Sequence, residues 1–200
     1  MMRMTFAART LLNFLSVYVG WWACVLGPVY HWPWLGPALM PPLLALHLYF
    51  SPTWRGELLF LAVLIPVGFA VDTLFLQFGV LHLVPHSGFP TPWLICLWLL
   101  LGISFEGMLV MRRHIGLVFL MGLLSGPLSY FFVTSIEIMR FGHPKWFVIA
   151  VHGAAWMGLM PVLFWLREVC LRAMLRPRRL RVVPVEQTSP YKPSALKDGH

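Results

Sequence analysis

Six stretches of this chain are apolar over close to the length of a bilayer-spanning helix, and that pattern limits the fold more than any other feature. They run Leu11 to Tyr30, Leu35 to Phe50, Leu58 to Gly79, Thr91 to Met111, Ile115 to Val133 and Trp146 to Leu166. A helix needs about 20 predominantly apolar residues to cross the hydrocarbon core. Composition closes the soluble alternatives: 59% of the 200 residues are hydrophobic and only 11% charged, with mean hydropathy +0.76. Ordinary soluble domains carry about 25% charged residues to clothe one core. The expected fold is therefore all-α, a compact bundle of six transmembrane helices. The expected domains are a basic N-terminus (1–10), the transmembrane bundle (11–166), a basic juxtamembrane segment (167–182) and a disordered tail (183–200), the last being rich in Pro, Ser, Lys and Gly.

Orientation follows from the Lys and Arg residues between the runs, because cytoplasmic loops retain positive charge. With a cytoplasmic N-terminus, thirteen of the 15 basic residues fall inside and only Arg140 and Lys145 outside. Both termini are expected in the cytoplasm. The first run reads as an uncleaved anchor, since Trp21 and Trp22 stand where a signal peptidase needs small residues. The second run is short and contains Pro41 and Pro42, which predict a kinked or partly unwound span. Tyr30, Trp32, Trp34, Trp54, Trp93 and Trp146 fall at the ends of the runs, where aromatic rings favour the headgroup zone.

Polar residues at membrane depth are few, and an ionised one at a helix centre costs about 2.5–3.5 kcal/mol on the insertion scale. At about 1.5 Å per residue, Asn13, His47 and Glu106 lie within about 8 Å of the inner boundary. Arg55, Arg112 and Arg113 are near enough in depth to pair with Glu106. This inner cluster reads either as an interhelix clamp or as the floor of a vestibule. Asp72 and His152 both lie about 10 Å below the outer boundary, and Ser125, Ser129 and Tyr130 bracket that depth. A carboxylate and an imidazole there can share a proton, relieving the burial of both. Asp72, Ser125, Ser129, Tyr130 and His152 form the candidate binding cluster, with packing glue as the alternative.

No catalytic residue, metal site or cofactor is indicated. The chain contains no H-E-x-x-H, C-x-x-C, G-x-x-x-x-G-K or G-x-S-x-G, so the common metal, thiol, nucleotide and serine chemistries lack their residues. His47 and His152 sit at opposite depths and cannot ligate one haem. His31, His82, His86 and His143 fall in outer loops without regular ligand spacing. Cys24, Cys96 and Cys170 are scattered and make no disulfide framework. After the sixth run, Arg172, Arg176, Arg178, Arg179 and Arg181 are expected to contact anionic phospholipid headgroups. No nucleic-acid recognition fold accompanies that charge.

The sequence N-F-L-S-V-Y-V-G-W-W-A-C-V-L-G from Asn13, G-F-A-V-D ending at Asp72, P-T-P-W-L-I-C-L-W-L-L through Trp98 and S-G-P-L-S-Y ending at Tyr130 resembles an uncharacterised family of bacterial multi-pass inner-membrane proteins, a domain of unknown function. The likeness covers Asn13 to Leu166 and places weight on Asn13, Trp22, Glu57, Asp72, Trp93, Trp98, Gly126, Pro127 and Tyr130. It implies a bacterial inner-membrane protein serving as an envelope accessory linked to lipid modification or stress response. The alternative is a small secondary transporter or channel with a polar site around Asp72. Pro41 with Pro42 and Pro127 would then mark broken helices in two inverted halves.

Overall fold

A computed structural model of the protein describes residues 5–108 and 114–175. Six helices account for nearly all of it: α1 (Phe6–Val29), α2 (Leu35–Phe50), α3 (Trp54–Gln77), α4 (Pro92–Ser104), α5 (Ile115–Ser135) and α6 (Lys145–Leu175). Two short strands, β1 (Leu81–Leu83) and β2 (Met139–Phe141), pair antiparallel with His82 opposite Arg140. They tie the α3–α4 connection to the α5–α6 connection at one end of the bundle. Four helices, α1, α3, α5 and α6, are long and apolar enough to cross a membrane, whereas α2 and α4 are shorter.

Local chemistry sets the helix limits. Thr5 caps α1 by accepting a hydrogen bond from the Ala8 amide at 3.3 Å. Pro92 opens α4, where its missing N–H costs nothing. Helix α4 stops at Ser104, short of the expected Met111; Phe105 and Glu106 leave the helix but remain buried. In contrast, α6 continues past Leu166 to Leu175, so the first part of the expected juxtamembrane segment is helix. The remaining tail lies outside the described residues. The expected unwinding at Pro41 and Pro42 does not occur: both lie inside an unbroken α2, as Pro127 lies inside an unbroken α5. The carbonyls four residues before each proline lose a donor, yet the turns on either side hold the helix together.

Helix α4 packs against α1, α2 and α3, while α3 also packs on α6 and α5 has α6 as its main neighbour. Phe60, Leu64, Leu100, Ile103, Phe105 and Leu163 are fully enclosed at the centre. The outward faces are apolar as well: Leu124 and Leu128 of α5 and Trp165 of α6 are more than half exposed, the reverse of a soluble fold and the arrangement hydrocarbon surroundings favour. Five of the six aromatic residues expected at the ends of the runs are exposed there, but Trp93 is buried in the core.

Candidate functional site

Asp72 sits one turn beyond Gly68 on α3 and is 1% exposed. Its carboxylate is fully engaged. The Tyr130 hydroxyl donates to Oδ1 at 2.6 Å and the Trp98 indole N–H donates to Oδ2 at 2.7 Å. The residue thereby joins α3, α4 and α5 through two short hydrogen bonds, which offset the cost of burying it. Glycines shape the surroundings. Trp98 and Trp156 stack with centroids 5.2 Å apart and planes 16° from parallel. A Cβ on Gly68 would lie 2.3 Å from the Trp98 ring, and one on Gly126 would lie 2.3 Å from the Trp156 ring. The indole pair is therefore held flat between the bare backbones of α3 and α5, and any side chain at either glycine would collide with it.

The structure corrects the expected sharing of a proton between Asp72 and His152. Trp98 and Tyr130 take both carboxylate oxygens, and His152 Nδ1 lies 3.2 Å from the Val148 carbonyl one turn back on α6. The imidazole packs instead between Phe75, at 4.0 Å, and the Tyr130 ring, at 4.5 Å. His152 thus supports Tyr130 rather than Asp72. Its Nε2 and the Trp156 Nε1 are buried without a hydrogen-bond partner.

In front of this wall lies a cleft of about 240 Å³ between α5 on one side and α1 and α4 on the other. Trp98, Trp156 and Tyr130 form its back, Val17 and Trp21 one flank, and Ser125 and Ser129 the other. The candidate serines therefore face the cleft while Asp72 stands behind it, reached only through Tyr130 and Trp98. Phe132 of α5 touches Trp21 and Trp22 of α1. The lining is almost wholly hydrocarbon and aromatic, so what it can bind is an apolar chain with few hydrogen-bonding groups.

At the opposite end of the bundle from the β ladder, Asn13, His47 and Glu106 form one hydrogen-bonded chain. His47 Nδ1 donates to Asn13 Oδ1 at 3.0 Å, and Asn13 Nδ2 donates to Glu106 Oε2 at 2.7 Å. Arg9 pairs with Glu106 Oε1 at 3.0 Å, in the place expected for Arg55, whose guanidinium lies over the Trp54 ring. Arg112 and Arg113 lie outside the described residues. A second pair is buried beside this chain: Arg167 grips Glu57 through both Nε and Nη2, with exposures of 4% and 2%. Depth counting missed this pair because Arg167 and Glu57 each fell just outside an apolar run or at its edge. The spacing signal was available: an acid opening the third span and a base closing the sixth sit at the same depth.

Of the candidate headgroup contacts, Arg172 is exposed and pairs with Glu168 at 2.8 Å; Arg176, Arg178, Arg179 and Arg181 lie outside the described residues. His82 and His86 face each other with ring centroids 6.0 Å apart in a shallow hollow beside Arg140. Among the described residues no three His, Cys, Asp or Glu side chains gather as a metal site.

A family described as "Protein of unknown function (DUF2878)" matches residues 10–162, and the chain belongs to it. No curated protein and no solved structure matches the chain.

Proposed function

Starting from a member of the DUF2878 family, we propose a six-span protein of a bacterial inner membrane with both termini cytoplasmic. It acts as an envelope accessory protein linked to lipid modification or stress response, and it holds one acyl-class chain in the cleft between α5 and α1 with α4. The cleft is the observation that carries this reading. At membrane depth an apolar slot takes hydrocarbon, and its volume of about 240 Å³ is a little below the range of about 300–1,000 Å³ common for small-molecule sites. It therefore suits a single narrow chain. The hydroxyls of Ser125 and Ser129 offer the few polar contacts such a ligand needs.

The length of α4 supports six spans. Helix α4, at 13 residues, is about 20 Å long, and its buried continuation through Phe105 and Glu106 supplies further depth where protein shields the backbone. The unequal basic charge supports the orientation. A fluorescent protein that matures only in the cytoplasm, fused after His200, is expected to glow, and an alkaline phosphatase fused there is expected to be inactive. The opposite pair of results overturns the orientation.

For the cleft, the full chain is purified in mild detergent and its bound lipid extracted and quantified. Wild type is expected to retain a lipid species in near-stoichiometric amount, and Ser129→Phe, which fills the cleft, to lose most of it while eluting as the same species. Equal lipid content in both proteins contradicts the reading. A transporter or channel around Asp72 is the second reading, favoured by the approach of the cleft to Tyr130. Against it stand the two occupied carboxylate oxygens and the unbroken helices at Pro41, Pro42 and Pro127.

A further inference from the structure

Two of the three thiols are brought together by the register of α1 against α4. The helices run antiparallel: Asn13, near the start of α1, meets Glu106 just beyond the end of α4. One helical stretch further on, Gly20 meets Leu100 so closely that a Cβ on the glycine would lie 2.6 Å from Leu100 Cδ2. A further turn along α1 reaches Cys24, and a turn back along α4 reaches Cys96. The register thus sets the two thiols side by side, and both side chains are buried. On its other side Cys24 is closed off by α2, where a Cβ on Gly36 would lie 2.5 Å from the Cys24 sulfur. Cys96 is thus the sulfur's open neighbour. A crossing held close by glycine is also what a disulfide requires, since its Cβ atoms must approach to about 3.5–4.5 Å.

We propose that Cys24 and Cys96 form a reversible dithiol–disulfide site in the outward half of the bundle, oxidised by a hydroperoxide. The sulfur of one cysteine attacks the peroxide; the O–O bond breaks, a sulfenic acid forms and the alcohol, or water from hydrogen peroxide, leaves with a proton. The second sulfur then displaces water from the sulfenic acid, forming the S–S bond. In total the two thiols lose two protons and two electrons, and the peroxide takes up both. A dithiol reductant reverses the step by exchange. Neither thiol lines the apolar cleft, but Leu97, next to Cys96, and Trp21, about one turn from Cys24, do; hydrogen peroxide, small and uncharged, must pass from the cleft between these side chains. The disulfide locks α1 to α4 one turn beyond the Gly20–Leu100 contact. Cys170, buried on α6 beside Gly56 at the other end of the bundle, is an internal control.

The test uses the full chain in lipid nanodiscs, exposed to hydrogen peroxide, quenched, denatured and labelled with a maleimide that shifts gel mobility. Wild type is expected to fall from three labels to one, and Cys170→Ser from two labels to none, with three and two restored by dithiothreitol. Mass spectrometry of the digest should show a peptide joining Cys24 to Cys96. Cys24→Ser and Cys96→Ser should each keep both remaining labels. Three labels retained by oxidised wild type overturn the proposal. So does label loss without the joined peptide, or equal loss in the single variants, since either marks separate oxidation of isolated thiols. The wild-type and Cys170→Ser results stand whether or not the other two variants fold.

Discussion

Replacing Asp72 with alanine is expected to lower the stability of the purified protein by roughly 2–6 kcal/mol, read as a fall in the thermal unfolding midpoint in detergent. The magnitude follows from what is left behind. The Trp98 indole N–H and the Tyr130 hydroxyl, now 2.7 and 2.6 Å from the carboxylate, would both be buried without an acceptor, at about 1–3 kcal/mol each. Asp72→Asn should cost about 1 kcal/mol or less. Its amide oxygen accepts from Trp98, and the Tyr130 hydroxyl turns to accept from the amide nitrogen. The pair of variants separates two roles of one residue. If Asp72→Asn is as abundant as wild type and retains bound lipid, the carboxylate serves as an acceptor that sets the cleft wall. If it is stable but loses the lipid, the negative charge itself is needed. An Asp72→Ala protein as stable as wild type would contradict the hydrogen-bonded arrangement altogether.

Breaking the Glu57–Arg167 pair should be comparably severe. Both side chains are nearly inaccessible and bind through two contacts, so Glu57→Leu or Arg167→Leu alone leaves a buried charge with no counter-ion. Such losses run to about 3–5 kcal/mol. The double variant removes both charges and replaces them with groups the apolar surroundings accept, so it should recover most of the loss and fall within about 1–2 kcal/mol of wild type. Refolding yield and unfolding midpoint of the four proteins form a complete cycle. A double variant as unstable as the sum of the singles would mean that the two residues act separately.

The fold was legible in the sequence to the extent that hydrocarbon patterning dictates it. Apolar runs located all six helices, because nothing but a helix satisfies its own backbone in such surroundings. Helix ends were less legible: α4 ends at Ser104 because Phe105 and Glu106 turn into the core, a choice made by tertiary packing. The inner polar chain could be read from depth, since Asn13, His47 and Glu106 share a level. Depth alone does not say which faces meet, and here it failed at Asp72. His152 lies at the right height, yet its Nδ1 approaches a carbonyl of its own helix, and the carboxylate is served by Trp98, an indole that the apolar pattern counts as hydrocarbon. The same blindness hid the facing of Cys24 and Cys96, which only the antiparallel register of α1 and α4 reveals.

Whether an apolar chain fills the cleft backed by the aromatic wall that Asp72 holds is decided by a density map of the full protein in lipid nanodiscs. An elongated density is expected between α5 and the α1–α4 pair, in contact with Trp98, Trp156 and Tyr130. A map in which α5 closes onto α4, with side chains filling the cleft and no such density, would contradict it.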